Sequence, residues 1–174
     1  MNKEMLEKFL FDGQYNAYAL LDGASIAGLR MKMYEMSPRY FCLFRGEIPD
    51  DIAENAPYLV GLISGERFTE WLLSEKPGKH TGIFAKSRQS LIEMRRHFRE
   101  LIMVQDESGK PMIFRYYDPR VISQFVPTCS EEELDAFFGP VDHFIAETQN
   151  GDNYSVFSRE NGSLSVKLLE IKGD

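Results

Sequence analysis

The sequence predicts an α/β fold of the α+β kind: a mixed sheet with packed helices, made of two strand–helix–strand–strand halves plus a C-terminal β-hairpin. Three observations predict it. Short β-type apolar runs alternate with segments of helical period along the chain. The order strand–helix–strand–strand occurs over 15–63 and again over 82–118, with weak residue identity between the halves. Near the end, two β-type runs, Tyr154–Arg159 and Leu164–Leu169, flank Glu160-Asn161-Gly162, a strong hairpin turn signal.

Taken in order, residues 2–11 form an amphipathic helix with Met5, Leu6, Phe9 and Leu10 on one side, ended by Gly13. Tyr15–Leu21 is a buried-type strand stopped by Asp22-Gly23, and Ser25–Met36 places Ile26, Leu29, Met33 and Met36 at helical spacing. Tyr40–Phe44 is a strand ending at Arg45-Gly46. A loop with Pro49 and four acids, Glu47, Asp50, Asp51 and Glu54, leads to the strand that Pro57 starts, PYLVGLI. Ser64–Ser74 is helical with Phe68, Trp71 and Leu72 inward, Lys76-Pro77-Gly78 breaks it, and Gly82–Ala85 is the next strand.

The second half carries the clearest punctuation. Ser87 or Ser90 caps a helix running through Arg99, and Ser90 with Glu93 fits a capping box. Leu101–Val104 and Met112–Tyr117 then read as a hairpin around Asp106, Ser108, Gly109 and Pro111. Asp118 is an N-cap and Pro119 a first helical residue, the order that satisfies orphan amides and pre-sets φ. The short helix so begun stops before Pro127. Ser130 with Glu133 is a second capping box, Leu134, Phe137 and Phe138 face inward, and Gly139-Pro140 closes that helix. His143–Thr148 is the strand before the final hairpin.

At 174 residues, 43% hydrophobic and 13% aromatic, the chain is long and apolar enough for one sizeable core. No 18-residue apolar run exists to span a membrane. The first residues include Glu4 and Glu7 and lack a signal-peptide pattern, and the two cysteines, Cys42 and Cys129, are far apart. A reduced, cytoplasmic location without membrane attachment is therefore expected. The net charge of −7 is unevenly spread. Val121–Ser158 has seven acids and no Lys or Arg, whereas Lys86–Arg99 has five basic residues against Glu93 alone. Such a dipole suits orientation of a partner, and equally two solvated faces.

On the basic helix, Leu91, Met94, Phe98, Leu101 and Ile102 share one face. Arg88, Arg95 and Arg99 flank that face, Arg96 lies further out, and His97 falls on the opposite flank as a packing residue. Arginines beside an apolar edge snorkel over it or fork onto carboxylates, with Asp22 and Asp118 as internal partners, or else onto a partner's carboxylate or phosphate. The candidate partner-binding residues are accordingly Arg88, Arg95, Arg96, Arg99, Arg115 and Arg120. Catalytic signals are missing. His80, His97 and His143 have no metal-ligand spacing, neither cysteine has a histidine close in sequence, and Gly109-Lys110 lies in a hairpin turn rather than a phosphate loop. No catalytic residue, metal or cofactor is expected; Asp118, Arg115 and His97 make the weakest alternative, a small enzyme.

Several segments together resemble a known family. YALLDGA (18–24), LFRG (43–46), PYLVGL (57–62), the Gly82-Ile83-Phe84 strand, the LxxxRRHFRELxxVxDExGKPxxFRYYDPRV run (91–121) and FFGPV (137–141) look like the family labelled domain of unknown function 4123. The likeness covers about residues 16–141 in consistent order, and FRYYDPRV after a basic helix is its most specific part. It implies an adaptor chaperone of the bacterial type VI secretion system, which binds an effector and helps load it onto the VgrG or PAAR spike. It implies no activity and no cofactor. Residues 1–141 are then the adaptor-like domain, with 142–174 a strand and hairpin extension packed on it. The alternative is an anion- or nucleic-acid-binding domain using the basic helix 86–99, against which the overall negative charge weighs.

Overall fold

The computed structural model describes residues 3–75 and 77–171. Asn2, Lys76 and the last three residues of the C-terminal extension, to each of which an expectation was attached above, lie outside them.

The first half contains α1 (Lys3–Leu10), β1 (Asn16–Asp22), α2 (Leu29–Met36), β2 (Tyr40–Cys42), α3 (Asp50–Glu54), β3 (Pro57–Leu62) and α4 (Arg67–Glu75). Then come β4 (Gly82–Ser87), α5 (Leu91–Ile102), β5 (Met103–Gln105), β6 (Pro111–Ile113), α6 (Pro119–Phe125), α7 (Glu131–Phe138), β7 (His143–Glu147), β8 (Tyr154–Glu160) and β9 (Ser163–Leu169). Seven strands form one sheet in the order β2-β3-β1-β4-β7-β8-β9. Every pair in it runs antiparallel, so the helical connections cover the sheet rather than making parallel crossovers.

Both faces of the sheet are covered at its centre, whereas β9 is largely exposed. Alternate residues of β1 enter opposite cores: Ala17, Ala19 and Leu21 meet α1, α2 and α4, while Tyr18 and Leu20 meet α5, α6 and α7. Burial on two sides is why these strands read as continuous apolar runs instead of alternating ones. The C-terminal strands continue this sheet, since β7 pairs with β4. The expected halves are present in order, but in the second the two final strands pair only with each other, as a separate two-stranded sheet.

Several boundaries differ from the sequence reading, among them the end of β2 at Cys42 rather than Phe44 and the start of α4 at Arg67 rather than Ser64; four differences have a local reason. Gly28 takes φ 74°, a left-handed conformation, so residues before it form turns and α2 starts only at Leu29. The acidic loop before Pro57 contains the one-turn helix α3, too short to show a period. Leu101 and Ile102 stay helical because Ile102 completes the buried stripe of α5. Phe114–Tyr117 leave the strand so that Tyr116 can be buried completely, its hydroxyl donating to the Phe98 carbonyl at 2.9 Å.

Candidate functional site

Helix α5 carries three of the six candidate arginines, Arg95, Arg96 and Arg99, and Arg88 lies just before it. Its start is fixed by the reciprocal capping box, in which Ser90 accepts from the Glu93 amide and Glu93 from the Ser90 amide at 3.0 Å. Leu91, Met94, Phe98 and Ile102 bury one stripe, and that orientation dictates where the arginines go. Arg96 is exposed. Arg88 is exposed and rests on the Tyr15 ring, 5.1 Å from its centroid. Arg95 is half-buried with its guanidinium 4.3 Å from the centre of the Phe41 ring. Arg99 is half-buried and donates to the Cys42 carbonyl at 2.8 Å. Both of the last two therefore lean on β2, the edge strand. Lys86, grouped with this helix by sequence, belongs elsewhere: it is fully buried and donates to the Phe9 carbonyl and to Asp12, each at 2.6 Å, tying the end of α1 to the sheet.

The hairpin arginines have a different environment. Arg115 donates at 2.6 Å to Asp22, a buried carboxylate at the end of β1 that also accepts from the Ala24 amide and the Ser25 hydroxyl. Arg120 forks onto Asp118 through Nε at 3.0 Å and Nη2 at 2.7 Å, while Asp118 also accepts the Arg120 amide as N-cap of α6. Burial works to raise the Asp118 carboxyl, and Arg120 outweighs it, so Asp118 lies below the usual carboxylate range. The structure thus separates the six candidates: Arg115 and Arg120 on carboxylates, Arg95 and Arg99 on an edge strand, Arg88 and Arg96 outermost.

In the weak catalytic alternative the Arg115 charge acts on Asp118, but the two are engaged separately and His97 is engaged elsewhere. Arg115 and Asp118 have separate partners, and His97 bonds the Phe137 carbonyl at 2.8 Å, with burial lowering its pKa. His143 packs edge-on against Phe9 and Tyr15, and His80 faces Glu147. Burial pushes the thiols of Cys42 and Cys129 up, away from nucleophilic use.

Two arginines escaped the sequence reading. Arg39 and Arg45 bracket β2 and are exposed, and the Arg45 charge acts on Arg99. Basic residues at both ends of a three-residue strand signal an edge, and that was the available clue. The ion-paired arginines among the described residues are Arg30, Arg115, Arg120 and Arg159; Arg39, Arg45, Arg95 and Arg99 are not among them. This edge can therefore bind carboxylates or other anions without first breaking an internal ion pair.

The chain matches the family model described as Domain of unknown function (DUF4123) over residues 17–136, and it belongs to that family. No curated protein and no solved structure matches it.

Proposed function

We propose that the chain is an adaptor chaperone that binds a type VI secretion effector and helps load it onto the VgrG or PAAR spike. The observation that carries this reading is the family match over residues 17–136, since the family as a whole is one of type VI effector adaptors. The surface agrees with a role in binding proteins. Besides the arginines on β2, the separate hairpin β5–β6 exposes Met103, Val104, Met112 and Ile113. At its base a cavity of about 400 Å³ is lined by Phe44, Ile52, Ile113 and Tyr117, with Asp51, Asn55 and the paired Arg115 and Asp22 also on its wall. Apolar side chains beside cations suit a protein partner better than a nucleic acid. The same surface argues for binding without catalysis, which we include in the proposal.

Co-expression with the effector encoded beside it tests this. A co-purifying complex and a longer-lived effector are expected. Absence of a complex with any genetically linked effector or spike protein overturns the reading.

A further inference from the structure

The edge of β2 has unused binding capacity. Its register with β3 places Arg39, Phe41 and Leu43 in the hydrogen-bonded positions, with the Gly61 amide on the Arg39 carbonyl and the Leu43 amide on the Pro57 carbonyl. The backbone groups of Tyr40 and Cys42 consequently point away from the sheet. Arg99 takes the Cys42 carbonyl; Tyr40 is exposed.

Alongside runs α5. Leu91, Arg95 and Arg99 follow at steps of four on the flank facing β2, a row of about 12 Å. At its first end, Leu91 joins Tyr18, Arg39, Gly61 and Ile63 around a cavity of about 280 Å³. At the other end stand Arg99 and Arg45, followed by Phe44 and the cavity beneath the hairpin.

Charge along this track is uncompensated. The charges of Arg95 and Arg45 act on Arg99, none of these arginines forms an ion pair among the described residues, and the buried Arg99 Nε has no hydrogen-bond partner there. An arginine held half-buried beside two others, with a donor left over, is arranged for an anion that comes from outside.

We infer that the groove between β2 and α5 receives an extended, acidic stretch of a protein partner, whose carboxylates meet Arg39, Arg95, Arg99 and Arg45 and whose apolar side chain enters the cavity at Leu91. The row is spanned by about four extended residues, which add to the β2 edge. This rests on the adaptor reading for the identity of the partner, an effector, but not for the existence of the track.

The test uses the whole chain, a fluorescein-labelled peptide of alternating Glu and Val, and the effector encoded next to it. The peptide is expected to bind, to weaken with salt, and to lose at least tenfold in affinity in the Arg95→Glu/Arg99→Glu variant. Because Arg95 packs on Phe41, the exposed pair Arg39→Glu/Arg45→Glu provides a second variant, with melting temperature measured for both. Arg88→Glu/Arg96→Glu is expected to bind as wild type. The effector complex should weaken in the same two variants. Peptide binding without any effector complex retains the track and removes the adaptor reading. An effector complex insensitive to all the reversals, with no peptide binding, does the opposite. A thymidine 20-mer binding more tightly than the peptide, and losing affinity in the same variants, overturns the assignment to a protein partner.

Discussion

Arg115 and Arg99 are sixteen residues apart in one continuous family-matching run, yet they do opposite things. Arg115 joins a buried carboxylate and closes the distance from the hairpin to the end of β1. Arg99 joins only a carbonyl on an edge strand, beside two further arginines. A basic run need not be one surface. Part of it is fold, because a buried acid demands it; part of it is charge that the fold leaves unanswered.

Asp22→Ala is the change expected to hurt most. It removes a carboxylate with three hydrogen-bond donors and leaves Arg115 without its acid. Because Arg115 is half exposed, the loss is placed at about 2–3 kcal/mol rather than the full value for a buried pair. Urea unfolding measures it. A loss below about 1 kcal/mol would mean that the hairpin arginines are no more structural than those of α5.

Gly139→Ala comes next. Gly139 ends α7 at φ 48°, and a Cβ there would lie 2.5 Å from His97 Cε1. Left-handed backbone plus that collision should cost about 2 kcal/mol. The His97 side of α5 would then be shown to be a packing side, in contrast with the Arg95–Arg99 side. Guanidinium unfolding of the variant decides it, and an unaffected midpoint would move His97 back among the functional candidates.

Much of this contrast was legible beforehand, and the part that was not has a physical reason. Both capping boxes and the Asp118-Pro119 start are local chemistry, so Ser90, Glu93, Ser130 and Glu133 could be placed from spacing alone. Asp22 and Asp118 are internal partners for arginines as the sequence suggests, but for Arg115 and Arg120 rather than for the stripe on α5. Strand order was not legible. Arg39 and Arg45 on either side of β2 hint at an edge, but nothing near residues 39–45 says that α5 comes to lie beside it; that follows from the order β2-β3-β1-β4 across the sheet. The burial of Lys86 was hidden for the same reason, since its partners Phe9 and Asp12 are distant in sequence.

Asp118→Ala should cost about 1 kcal/mol, the usual loss of an N-cap. The Asp118 pKa is depressed in the folded protein, so its contribution is present above the unfolded value of about 3.9 and disappears as pH falls through the folded value. The gap in stability between wild type and variant should accordingly be full at pH 7 and shrink below about pH 4. Denaturant titrations at both ends of that range provide the check, and a pH-independent gap would mean that Arg120 contributes no charge stabilisation to the cap.

Arg99→Met should have the smallest effect on stability, and it is the sharpest test of the contrast. Methionine retains an apolar stem against β2 and removes a charge that Arg95 and Arg45 oppose. The Cys42 carbonyl loses a donor, but it lies on an open sheet edge where water can replace it. The lost hydrogen bond and the relieved repulsion act in opposite directions, so the net change is expected within about 0.5 kcal/mol in urea unfolding. Arg115, with a carboxylate behind it, has no such relief to draw on. A loss of 2 kcal/mol or more in Arg99→Met would show that Arg99 locks β2 as firmly as Arg115 locks β1, and the two halves of the basic run would then have the same structural task.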